Sequence, residues 1–128
     1  MNYYFSKTVS GKFEDVIKLV TEKLKTEGFG VISEIRMHEK LKEKLDINFK
    51  KYTILGACNP AYAYKALLME DKIGAMLPCN ILVIEQEKDK IEVAAINPLV
   101  SMQSVENDDL HDVAQIVSSS LTRVIEQI

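Results

Sequence analysis

Long apolar runs are missing from this 128-residue chain. Nothing in it approaches the roughly 20 continuous apolar residues of a membrane-spanning helix, so no membrane partner is expected. Positive charge is not in excess either. With 16 Lys and Arg against 19 Asp and Glu, the chain lacks the electrostatic footprint that dominates nucleic-acid binding, and no nucleic-acid partner is expected. The opening MNYYFSKTVSGK carries neither a basic stretch nor an apolar h-region, which leads to the expectation of a cytoplasmic protein. Cysteine is scarce. Cys58 and Cys79 are too few for a disulfide framework, and in a reducing compartment they are read as free thiols able to pair under oxidation.

Catalytic signatures are also missing. His38-Glu39 begins like the zinc-protease helix motif, but Lys42 stands where the second histidine belongs. His38, Cys58 and Cys79 are a conceivable set of metal ligands, yet their spacing matches no metal signature, so no metal site is assigned. Ser118-Ser119-Ser120 falls inside a helical pattern without a nucleophile elbow, and there is no glycine-rich phosphate loop. His111, in the first turn of the last helical segment, reads as a solvated side chain. HEKLKEK mixes Glu with its Lys residues and reads as a solvated helical face.

What remains is the composition of one packed unit. A hydrophobic content of 47% over residues 1–128 suffices for one core, so one domain is expected. NYYFSKTV alternates like a strand, and Lys12 to Glu27 places Phe13, Val16, Ile17, Val20 and Leu24 at helical spacing before Gly28. Gly30 to Met37 reads as a second strand, HEKLKEKL as a helical excursion, and KYTILGAC as a third strand. Asn80 to Ile84 is continuously apolar and predicts an interior strand covered on both faces. After the turn EQEKDK, Ile91 to Ile96 should return as the other arm of an antiparallel hairpin. Asn107, Asp108 and Asp109 then open a long helix whose stripe runs from Leu110 to Ile128. This order predicts a two-layer α+β domain with five strands. Its open edges invite pairing with a second copy, so a homodimer is expected.

Chemistry concentrates at three proline-containing segments. In GACNPAYAYKALL, Asn59 suits an N-cap and Pro60 the first helical position, so a helix begins directly beyond Cys58. Helix starts of this kind favour thiolates and anionic ligand groups. Leu-Pro-Cys-Asn around Cys79 and Asn80 repeats the residue types, and Asn97-Pro98 closes the next strand. Two readings stand side by side: plain turn and cap chemistry, or amides of Asn59, Asn80 and Asn97 directed at one polar site. Tyr62 and Tyr64 bracket Ala63 and point to different sides of the helix.

Taken together, YTILGACNPAYAYKAL, IGAMLPCNILVIEQ and IEVAAINP resemble the Domain of Unknown Function 302 family of small bacterial and archaeal proteins. The motif positions carried over are Gly56, Cys58, Asn59, Pro60, Leu77, Pro78, Cys79, Asn80 and Pro98. The resemblance implies a β-α-β(4)-α arrangement like the TATA-binding-protein-like fold, without DNA binding, and it names neither activity nor cofactor. The leading expectation is a small-ligand-binding or sensor-like domain with a site at Cys58, Asn59, Pro60, Cys79 and Asn80, its apolar contacts made by Tyr62, Met76 and Leu77. The alternative is a thiol-dependent redox protein or enzyme with Cys58 attacking and Cys79 resolving. A purely structural role for the motif is the third.

Overall fold

Alternation along the strands gives the sheet two faces, and helices roof only one of them. The computed structural model describes residues 2–128. The elements are β1 (Tyr4–Ser10), α1 (Phe13–Thr26), β2 (Gly30–Arg36), α2 (Met37–Leu45), β3 (Tyr52–Cys58) and α3 (Pro60–Met69). A 3₁₀ helix (Asp71–Met76), β4 (Cys79–Glu87), β5 (Lys90–Ile96), α4 (Pro98–Ser101) and α5 (Asp108–Glu126) complete the chain. The strands form one antiparallel sheet in the order β1-β5-β4-β3-β2, with β4 at its centre. The expected α+β class and element order are therefore present. No helix among the described residues is long and apolar enough to cross a membrane.

The roofed face holds the main core. The stripe Phe13, Val16, Ile17, Val20 and Leu24 of α1 and the stripe Val113, Val117, Leu121, Val124 and Ile125 of α5 bury against alternate strand residues, among them Leu55, Ile81, Val83, Ile91 and Val93. A period of 3.6 on the helices thus meets a period of 2 on the sheet. A smaller cluster of Ala66, Ile73, Met102, Leu110 and Ala114 joins α3, the 3₁₀ helix and α5.

The NILVI strand departs from its expected environment. β4 is central, but only its Cys79, Ile81 and Val83 side belongs to the helix-covered core, while on the face without helices Asn80 is exposed, Leu82 half-buried and Ile84 buried. The continuous apolar run comes from apolar residues on an uncovered face, not from helices on both sides.

Local chemistry sets the joints. At the end of α1 the Phe29 N–H donates to the Leu24 carbonyl (3.0 Å) and the Gly28 N–H to the Lys25 carbonyl (3.1 Å). Gly28 has φ of +82°, the left-handed conformation that this helix ending requires and that glycine adopts without strain. At the opposite end of the sheet, α2 is held by His38, whose Nδ1 accepts the Tyr52 N–H at 2.9 Å. Arg36 pairs with Glu14, Glu34 and Glu39, and its guanidinium holds the Glu14 carboxyl below its ordinary range.

Gly56 is the tightest backbone position. A Cβ built there would lie 2.2 Å from Ser33 Oγ and 2.7 Å from Pro78 Cγ, so β2, β3 and the segment before β4 approach one another only because the side chain is absent. Gly56→Ala is expected to cost about 2 kcal/mol of stability through overpacking. The measurement is a denaturant titration, in which the midpoint should fall at an unchanged m-value.

Candidate functional site

The antiparallel pairing of β3 and β4 sets Ala57 opposite Cys79, which brings the end of β3 and the start of β4 to the same end of the sheet. Here the roofed face is not filled. A cavity of about 320 Å³ lies between the sheet, α3 and α5, with Cys58, Asn59, Leu77, Pro78 and Cys79 in its wall. Tyr62, Ala63, Ala66 and Leu67 of α3 face it from one side, and Val113, Ala114 and Val117 of α5 from another. Phe29, Ile32, Pro98 and Met102 complete most of the remaining wall. Ile32 and Leu67 are also solvent-exposed, so the cavity has an apolar mouth.

Of the five residues singled out from the sequence, Cys58, Asn59 and Cys79 line this cavity, whereas Pro60 and Asn80 do not. Pro60 occupies the first turn of α3 and is exposed. Asn80 is paired with Gly56 and is likewise exposed. Met76 also stays out of the wall, while Leu77 and Tyr62 are in it. The two tyrosines diverge as their spacing requires: Tyr62 is half-buried at the cavity and Tyr64 is 65% exposed.

The asparagines do not converge on one polar site: Asn80 is exposed on the other face, and Asn59 and Asn97 are occupied in joining elements, as is Asn107. Asn59 Oδ1 accepts the Tyr62 N–H, and its Nδ2 donates to the Glu27 carbonyl, both at 3.5 Å. Asn97 is buried; its Oδ1 accepts from the Leu99 N–H and from Ser118 Oγ, each at 3.1 Å, and its Nδ2 donates to the Asn2 carbonyl at 3.4 Å. Asn107 caps α5 through the Asp109 N–H (3.2 Å) and donates to the Met69 carbonyl at 2.9 Å. Asn97-Pro98 is thus a second cap-and-proline helix start, opening the short helix α4, which the strand-closing turn reading missed.

His38 is separated from the thiols. It binds at Tyr52, six residues along β3 from Cys58 and therefore roughly 20 Å away. Among the described residues no group of three His, Cys, Asp or Glu side chains is placed to hold a metal ion. The sequence reading also missed the α5 contribution. Val113 and Val117 sit one turn apart on a stripe indistinguishable from core, and only the position of α3 turns that stretch into a cavity wall.

Burial pushes the Cys79 thiol up to about 11, and the neighbouring Cys58 adds to the shift. Cys79 is therefore a protonated, apolar wall group near neutral pH. The linkage follows from its sign. Between the ordinary value of 9.0 and about 11 the folded chain keeps a proton that the unfolded chain loses, so stability falls as pH rises through that window. The full difference is about 2–3 kcal/mol, and it is present below pH 9. Denaturation of the wild type and of Cys79→Ala across this range should show the steeper loss in the wild type.

Comparison with known proteins places these features in a family. The pattern described as "Domain of unknown function DUF302" matches residues 5–128. The crystal structure of an uncharacterized conserved DUF302 protein from Bacillus stearothermophilus superposes with a TM-score of 0.91 at 27% identity, covering 99% of this chain and 98% of that one. A stretch of 47 residues, 37% of this chain, is 36% identical to an uncharacterized protein of Aquifex aeolicus (strain VF5) and spans 33% of that protein's length. The chain belongs to the DUF302 family.

Proposed function

We propose that this chain binds a small, predominantly apolar molecule in the cavity beside Cys58 and Cys79. The observation that carries the reading is the composition of the wall. Of the residues that form it, only Asn59, Tyr62 and the two cysteines bring polar side-chain atoms, and none is a Lys, Arg, Asp or Glu. A volume of about 320 Å³ falls at the lower end of the range of ligand pockets, which are mainly apolar with a few placed polar groups. A compact ligand without a buried charge fits such a wall, because an ion there would meet no counter-charge. Tyr62 stands in the first turn of α3, where its hydroxyl suits one neutral polar group of the ligand.

The thiol-redox reading draws on the same two residues, and one observation weighs against it. A Cys79 held protonated by burial is a poor attacking or resolving thiolate near neutral pH. As wall groups, by contrast, the thiols behave as small apolar side chains.

Ala63→Phe tests the ligand reading by placing a ring into the cavity. Titration with a neutral apolar fluorophore such as N-phenyl-1-naphthylamine should show saturable binding to the wild type. Binding to Ala63→Phe should be weaker by about tenfold or more, equivalent to about 1.4 kcal/mol. Asn80→Ala, outside the wall, should bind like the wild type. Equal binding by Ala63→Phe and the wild type would contradict the proposal.

A further inference from the structure

The bare face of the sheet carries an apolar row that crosses four of its five strands. The registers place Ile35 beside Ile54, Ile54 beside Leu82, and Leu82 beside Ala94, so β2, β3, β4 and β5 contribute in turn. Ser6 of β1 ends the row. None of these residues belongs to either helix-covered core cluster. Ile35 is 42% exposed, and Ile54 and Leu82 are half-buried.

The rows on either side are mixed. Ser33, Gly56 and Asn80 run along one side, with Ile96 and Tyr4 toward β1, and Tyr52, Ile84, Glu92 and Thr8 form the other, with Ile84 buried. Glu92 is partly satisfied by its own chain: Gln86 Nε2 donates to Glu92 Oε1 at 2.8 Å, and Lys50 Nζ donates to Gln86 Oε1 at 2.8 Å. An apolar centre poor in charge is what the core of a protein interface presents.

We infer that this face packs against the same face of a second copy, with a two-fold axis passing near Leu82 of the central strand. Three observations select that occupant. First, an apolar row that runs across the middle strand can lie along the same row of a second copy about a two-fold axis, as an isologous contact requires. Second, five strands of at least seven residues offer roughly 550 Å² of sheet face per copy. The pair would then bury on the order of 1,000 Å², the size at which specific interfaces begin. Third, the β2 edge is a poor route to a dimer, because it is interrupted by a bulge at Ile32 and carries Glu34 and Arg36. Two sheets stacked face to face lie about 10 Å apart with their strands aligned within about 30°, which gives the NILVI run of β4 the second cover that its sequence pattern calls for.

The test is sedimentation equilibrium of the full chain. The wild type should run at twice the 14.5 kDa chain mass. Leu82→Glu, which sets two carboxylates against each other at the axis, should be monomeric with an unchanged far-ultraviolet circular dichroism spectrum. Ile35→Lys, at an exposed position that cannot unfold the core, should weaken association by about tenfold or more and decides the matter if Leu82→Glu does not fold. A monomeric wild type at about 100 μM would overturn the proposal. So would a folded Leu82→Glu, or an Ile35→Lys, that associates as tightly as the wild type; either result would assign the contact to an edge or to another surface.

Discussion

Three asparagines hold the walls of the cavity apart. Each spends its side-chain oxygen on a helix start and its side-chain nitrogen on a carbonyl of another element, so one residue both begins a helix and fixes where that helix begins. Asn59 ties the start of α3 to the end of α1, and Asn107 ties the start of α5 to the end of α3. Asn97 ties α4 to Asn2, two residues before β1, and, through Ser118, to α5. With its ends fixed in this way, α3 lies across the end of the sheet without filling it. The cavity is the space that remains, framed by joints at the helix ends, one of which, Asn59, also stands in its wall.

The same arrangement explains why polar residues in the motif leave an apolar site. The amides of Asn59 and Asn97 and the missing side chain of Gly56 make close approach possible, and what they bring together is chiefly Ala, Val, Leu, Pro and two thiols. Gly56 lets Ser33 and Pro78 close over β3, which presses Pro78 against the cavity rim and leaves Cys79 buried behind it. Burial in turn keeps that thiol protonated. Packing, protonation state and the apolar character of the cavity therefore have one cause: elements drawn close at one end of the sheet by residues that do not themselves present charge.

Much of this was legible in the sequence. The α1 and α5 stripes, Gly28 as a helix stop, Asn59-Pro60 as a helix start and the β4–β5 hairpin all follow from periodicity and cap chemistry, which act over a few residues. The shared DUF302 segments were also readable, since Gly56, Cys58, Asn59, Pro78 and Cys79 lie close together in the chain. What could not be read depended on distant pairings. That Cys79 faces the cavity while Asn80 turns away is decided by the β3–β4 register, where one residue changes the face, and Cys58 joins the wall from the last position of β3. Val113, Ala114 and Val117 carry the same signal whether they pack or line a cavity. The run Asn80 to Ile84 indicated two covered faces, and only the sheet order shows that the folded chain provides one cover itself.

The central claim is that the folded chain maintains a preformed apolar cavity beside the two thiols. The most direct measurement is a crystal structure collected under xenon pressure, because xenon enters dry, apolar cavities and is visible through its electron density. The account predicts xenon bounded by Ala57, Ala66, Cys79 and Val113, with α3 and α5 unmoved. A crystal in which Tyr62 and Leu67 close the space and no xenon binds there would contradict it.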